Sequence, residues 1–213
     1  MRFLLPLLCI AAGFLDGVPR CAHNSGADVF VEPLLPAFGY ACEVGANDGL
    51  LGSNTYGFEK NKGWKVLCVE PNPLLIEAGR SNRALWAAVA CGSVKTQMEF
   101  VCVGGYPYSA ASGFHVGEKH FPPDGNARKF SVPVERLDDL LAQYEFPRLD
   151  LLSIDTEGHE MEVLRGIDLK KWKPTFIIAE EVNPEPGEMD EYLQERGYIR
   201  VERKLFDNIY KPK

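Results

Sequence analysis

An α/β domain is the fold this sequence predicts: a mostly parallel sheet with helices on both faces, ending in an antiparallel hairpin. Three observations carry it. Short apolar runs alternate with helix-length segments, the pattern of a parallel sheet covered on both sides. The first run empties into a turn of glycines and small polar residues, "GANDG" (45–49), and the next ends on an acid, Glu70. The tail, "YIRVERKLFDNIYKP", alternates about a central break and reads as a hairpin.

The elements follow in order. Residues 17–38 read as irregular, punctuated by Pro19, Pro33 and Pro36. "FGYACEV" (38–44) reads as a buried strand, and 50–63 as a helix closed by Gly63. "KVLCVE" (65–70) is the second strand, and 73–81 a short helix with proline in its first turn. Residues 84–91 read as one strand and 96–104 as another. The stretch 105–131 is rich in Gly, Ser, Pro and aromatics, and a loop that long is expected to be a functional lid or disordered. A short strand and a helix follow within 131–144, a strand at 149–155 ends on Asp155, and a helix spans 157–168. A strand at 174–183 and a helix at 187–197 precede the hairpin. The expected division is an N-terminal segment, 1–37, and one domain, 38–213.

The chain has 213 residues, 46% hydrophobic and 25% charged, enough to bury one core without a metal or disulfide staple. A net charge of −7 with no basic run argues against a nucleic-acid partner. The apolar run from Phe3 to Leu15 is too short for a stable membrane span, since spanning takes about 20 residues. With Arg2 ahead of it and Ala11, Ala12 and Gly13 behind, it resembles a secretory signal; the alternative is a segment that packs on the domain. The six cysteines form no CxxC pair, and losing Cys9 with a signal would leave an odd number. Buried, reduced thiols and a cytoplasmic location are the expectation, with the secretory pathway as the alternative if residues 1–13 act as a signal.

In parallel sheets, ligands bind beyond the carboxyl ends of the strands. Here those ends are 43–49, 70–72, 88–91, 155–157 and 180–183, and four of the five carry a carboxylate. A dinucleotide fold needs G-x-G-x-x-G, but Asn47 stands at the second position. No GxxxxGK[ST] occurs, which removes a P-loop. The acid ending the second strand remains, about 25 positions after Gly45 and close to the spacing of roughly 20 for a ribose-binding acid. An adenosine-type ribose without a pyrophosphate is implied. S-adenosylmethionine fits, because a carboxylate-rich rim suits its sulfonium cation.

"EVGANDG", "CVEPNP" and "LLSIDTEGHEMEVLRGID" occur in order and resemble three motifs of the FkbM family of S-adenosylmethionine-dependent methyltransferases. The resemblance spans about residues 40–183 and implies a Rossmann-like class I methyltransferase domain. "GSNTYGFEKNKGW" is similar to a Star-like subgroup in which Ser-Asn-Thr and a Trp before the second strand recur. Two departures stand out: Ser153 replaces a lysine common in the family, and the helix after "EPNP" is short.

The resemblance implies that Gly45, Ala46, Asn47, Asp48 and Gly49 wrap the methionine part of the cofactor, with Glu43 bracing the loop. It places Glu70 on the ribose hydroxyls, Pro71 and Asn72 at that edge, Ala88 and Val89 near the adenine, and Asp155 facing the sulfonium or amino group. Plainer roles compete: Gly45 and Gly49 could serve backbone angles alone. Glu70 and Asp155 could cap helices, and Ser53, Asn54 and Thr55 could be surface positions of the first helix. Methyl transfer to a hydroxyl needs alignment and a base. The candidates are Asp155, His159 and Glu181. His115, His120 and the lid aromatics Tyr106, Tyr108, Phe114, Phe121 and Phe130 are candidates for acceptor contact. Asp155, Glu180, Glu181 and Asn183 are hard oxygen donors, but no spacing fixes a metal site and none is expected.

The resemblance implies O-methylation of a hydroxyl on a glycan or other small natural product. A methyltransferase-like binding or trafficking module without turnover is the alternative. A nicotinamide-dependent oxidoreductase is disfavoured by Asn47.

Overall fold

The computed structural model describes residues 14–15, 18–19, 25–103, 113, 127–183 and 185–213. Residues 1–13, Cys21, most of the expected lid and both His115 and His120 lie outside the described residues. β1 (Phe14–Leu15) and β2 (Val18–Pro19) pair as a short antiparallel ribbon.

The central sheet has seven strands. β3 (Tyr40–Val44) lies between β4 (Lys65–Val69) and β9 (Leu151–Ile154), parallel to both. β5 (Leu85–Ala87) extends the sheet beyond β4, and β10 (Phe176–Glu180) extends it beyond β9, again in parallel. The C-terminal hairpin, β11 (Tyr198–Lys204) and β12 (Asp207–Pro212), completes the order β11-β12-β10-β9-β3-β4-β5, with β12 antiparallel to β10. The chain thus runs outward from β3 to β5, then crosses back to β9. The crevice where ligands bind in such sheets opens between the carboxyl ends of β3 and β9.

Each sheet face buries its own apolar layer. On one lie Leu137, Leu140 and Leu141 of α4 (Leu137–Gln143), Val163 and Leu164 of α5 (Glu160–Arg165), Trp172 of α6 (Leu169–Trp172) and Leu193 of α7 (Glu188–Glu195). On the other lie Ala27 and Val31 of α1 (Ala27–Val31) and Phe58 of α2 (Tyr56–Lys62), with Trp64. A three-stranded sheet of β6 (Ala90–Cys91), β7 (Thr96–Val103) and β8 (Ala127–Glu135) encloses a smaller core around Phe100 and Val132, with Phe130 packed against it.

Several boundaries differ from those expected. α1 and a 3-10 turn (Glu32–Leu34) form inside the stretch read as irregular, because Ala27, Val31 and Leu35 have a buried layer to join. The first helix begins at Tyr56, not at 50, and α3 (Ile76–Asn82) begins after its proline. The run 84–91 is two strands in two sheets: Leu85–Ala87 pairs with β4, and Ala90–Cys91 pairs with β8. β8 starts at Ala127, so the end of the expected lid is strand paired to β7. Gly63 closes α2 in the left-handed region, φ 67°, as expected.

Candidate active site

Glu43 is buried one residue before the end of β3, an interior strand of the sheet. A carboxylate there is costly unless it is paired. The pairing comes from the segment expected to be helix. Ser53 and Thr55 donate their hydroxyls to Glu43 Oε2 at 2.7 and 2.9 Å, and the Asn54 N–H donates to Oε1 at 2.7 Å. Ser53 Oγ in turn accepts the N–H groups of Thr55 and Tyr56. These bonds hold 53–55 in a bend, and α2 begins only beyond them.

The positive charge comes from Arg83, a residue that sequence reasoning missed. Its side chain is fully buried, with Nη1 3.2 Å from Glu43 and Nε 2.6 Å from Glu59. It also donates to Thr55 Oγ1 at 2.8 Å, Ser53 Oγ at 3.1 Å and the Gly49 carbonyl at 3.0 Å. Charge balance was the available signal: a glutamate inside an apolar strand requires a cation. Nothing local says which one.

The turn after β3 is shaped by close packing. Gly45 sits at φ 84°, and a Cβ there would lie 1.6 Å from the Asp155 carbonyl oxygen. The ends of β3 and β9 therefore touch backbone to backbone, tied by Asp155 N–H to Val44 O at 2.9 Å. Asn47 adopts φ 51°, a conformation asparagine tolerates better than most residues. Asp48 is buried and spends one carboxylate oxygen on the N–H groups of Leu50 and Leu51. That role shapes the loop.

Glu70 stands just past β4. One oxygen accepts the Asn47 N–H at 3.0 Å and the other the Asn72 N–H at 2.8 Å. Its carboxylate thus joins the first turn to the second instead of capping α3. Burial lifts its pKa to about 7; the two N–H donors oppose that, and Asp155 adds to it. The Glu70 N–H donates to the Ala87 carbonyl, which sets half-buried Ala88 and Val89 beyond the same edge. Pro71 is half-buried, and Asn72 is buried with Oδ1 taking the Leu74 N–H and the Cys102 thiol.

Glu43, Gly45, Ala46, Leu51, Gly52, Ser53, Asn54, Ser153 and Asp155 line one cleft at the β3–β9 junction. Beside it the acids gather. Glu180 is raised to about 9 by burial, then by Asp155, Glu157 and Glu160, and it shares a hydrogen bond with Asp155. Glu157 keeps a solvent-facing edge at φ 56°, yet the protein around its carboxyl, and then Asp155 and Glu160, raise it to about 7. Glu160 turns inward and accepts the Thr156 and Gly158 N–H groups. Asp155 is the neighbour that Glu70, Glu157 and Glu180 have in common.

Two candidate bases are placed elsewhere. His159 begins α5 with its ring buried, and its Nε2 would lie 3.7 Å from a Cβ built on Gly92. Glu181 folds onto its own turn, accepting the Asn183 N–H at 3.0 Å. Glu180, one residue earlier, is the acid that meets Asp155.

This site lies within a stretch similar to known proteins. Residues 43–200 match the Methyltransferase FkbM domain. Methyltransferase sdnD of Sordaria araneosa is 27% identical over 200 residues, 77% of this chain and 75% of that one. Methyltransferase 1 of Beauveria bassiana is 35% identical over 77 residues, 34% of this chain and 31% of that one. The solved structure of the methyltransferase FkbM from Methylobacillus flagellatus KT superposes with a TM-score of 0.53 at 14% identity, over 88% of this chain; the chain spans 47% of that structure's length. Its likeness is one of fold. With the domain match covering most of the chain, the protein belongs to the FkbM family of methyltransferases.

Proposed function

We propose that the chain is an S-adenosylmethionine-dependent O-methyltransferase acting on a hydroxyl of a glycan or other small natural product. One observation carries the cofactor reading. Glu70 is held by two backbone N–H groups at the end of β4, and each of its oxygens retains a lone pair for a ribose hydroxyl. The rest of the site fits the group. The positive-φ turn at Gly45 brings bare backbone to the cleft. The acids around Asp155 favour a cationic ligand over a phosphate.

The cofactor supplies an electrophilic methyl on a sulfonium. The chain's residues supply binding and alignment: Glu70 for the ribose, and Gly45, Ala46, Asn47 and Gly49 for the methionine part. Asp155 is the base favoured by geometry over His159 and Glu181. Glu180, raised to about 9 by burial and by the acids around it, is hydrogen-bonded beside it. The four described cysteines are free and buried, which supports a cytoplasmic protein. Among the described residues no helix is long and apolar enough to cross a membrane.

Calorimetric titration with S-adenosylmethionine and S-adenosylhomocysteine, alongside Glu70→Ala, tests this. Micromolar binding, lost in the variant, is expected, and it opens a screen of hydroxyl acceptors for methyl transfer. A folded protein that gives no heat with either ligand is instead a methyltransferase-like binding module.

A further inference from the structure

The turn after β3 is gripped residue by residue from a single stretch of chain, 70–83. Glu70 accepts the Asn47 N–H at 3.0 Å. Asn82 Nδ2 donates to the Asp48 carbonyl at 2.8 Å, and Arg83 Nη1 donates to the Gly49 carbonyl at 3.0 Å. Three successive turn residues thus meet partners that follow in the same order along the chain. The grip is needed because the turn's shape is not one the backbone favours. Asn47 and Gly49 both lie in the left-handed region, at φ 51° and 78°. Such backbone persists where its surroundings over-determine it.

The holder is itself fixed. Asn82 is the last residue of α3, half-buried, and Gly79 on the preceding turn lets the helix sit directly on the Trp86 ring. A Cβ at Gly79 would lie 2.2 Å from that ring. Of the two α3-end donors, Arg83 belongs also to the Glu43 brace, bonding Glu43, Glu59, Ser53 and Thr55. Asn82 is the one whose side chain, among the described residues, donates to the turn alone. A carbonyl only accepts, so the NH2 of its amide is the group that faces Asp48.

We infer that Asn82 is a positioning residue for the cofactor: its amide holds the 47–49 turn in the shape that the methionine part meets, and it sets affinity through that turn. This rests on the cofactor reading above. A turn released at Asp48 spreads into other conformers, and apparent affinity falls with the fraction that stays competent.

The test compares wild type with Asn82→Ala and Asn82→Asp, with thermal melts to confirm folding. Native-state hydrogen exchange is followed at the Leu50 and Leu51 amides, which the Asp48 carboxylate accepts. Calorimetry gives the dissociation constant for S-adenosylhomocysteine. Both variants should exchange faster at these two amides. Asn82→Ala should bind about three- to tenfold more weakly, the worth of one hydrogen bond. Asn82→Asp keeps the side chain's shape but turns an anion on the carbonyl, so it should lose more. A packing role predicts the reverse order, with the isosteric variant close to wild type. If Asn82→Ala does not fold, Asn82→Asp decides alone: weakened binding supports the inference and wild-type affinity overturns it. Unchanged exchange, wild-type affinity despite faster exchange, or a larger loss in Asn82→Ala than in Asn82→Asp overturns the inference and leaves the cofactor reading intact. A folded wild type that does not bind S-adenosylhomocysteine overturns both.

Discussion

Glu43 sits one residue before the end of β3 and Glu70 one residue past the end of β4, in neighbouring parallel strands. Both are buried, at 4% and 7% exposure. Glu43 meets a guanidinium, two hydroxyls and a backbone N–H. Glu70 meets two backbone N–H groups, and the charge that acts on it, Asp155, has the same sign. The first carboxylate is therefore spent on holding the chain together, while the second is held in place and kept available. A buried acid alone does not indicate function; what its oxygens have left to accept does.

Breaking the first arrangement has the largest effect. Arg83→Met leaves Glu43 buried without its cation and Glu59 with Lys60 alone. Removing one partner of a buried pair costs about 3–5 kcal/mol, so urea unfolding should show a loss of that size. A loss under about 1 kcal/mol would mean that the hydroxyls and N–H groups alone carry Glu43.

Glu70 should respond in the opposite sense. Its pKa rises from 4.5 to about 7 on folding. The folded protein thus holds the proton more tightly than the unfolded chain. That stabilisation is fully present below pH 4.5 and is lost as pH rises through about 7. The total is about 3 kcal/mol, at 1.36 kcal/mol for each pH unit. Glu70→Gln, uncharged throughout, should flatten this part of the stability profile and be the more stable protein at pH 8. The same variant should lose nucleoside binding about tenfold or more. In wild type, affinity for S-adenosylhomocysteine should climb between pH 6 and 8, because the ionised carboxylate accepts from both hydroxyls. A flat affinity profile in wild type would place the ribose elsewhere.

The two glutamates also mark how far sequence reading reaches. The strands were legible because apolar runs such as "KVLCV" need no distant partner to be recognised. Glu70 was legible because its position after a strand is itself the signal. The turn at 50–55 was not: its residues take their conformation from Glu43, ten or more positions away, and helix periodicity ignores such bonds. Arg83 was invisible for the same reason. The break between Ala87 and Ala90 was hidden because both halves are β-forming, and only pairing partners in two different sheets separate them. The choice of Glu180 over Glu181 beside Asp155 depends on register with β9, where Ala179 pairs with Ile154 and one residue decides which acid meets the cleft.

Thr55→Val is a milder cut into the brace. It removes one donor to Glu43 and one acceptor from Arg83 while keeping the shape. The arginine and Ser53 still hold Glu43, so about 1–2 kcal/mol is expected from chemical denaturation. Affinity for S-adenosylhomocysteine should not change. An affinity loss without a stability loss would mean that the brace and the ligand site are one unit.

The smallest effect belongs to the residue on the border between the two regions. Ser153 lies in β9 beside Glu43 in register, and its hydroxyl accepts the Asn54 amide. Ser153→Ala leaves Glu43, Arg83 and Glu70 untouched and removes only the group that fixes Asn54 Oδ1. Stability should fall by about 1 kcal/mol, the cost of one buried donor left unpaired. Affinity for S-adenosylhomocysteine should drop a few-fold, since the cleft-lining Asn54 amide becomes free to turn. The two readouts separate the roles: a stability loss with unchanged affinity would make Ser153 a packing residue, whereas a reduced affinity in a protein of nearly native stability would make it the positioning residue of the ligand site.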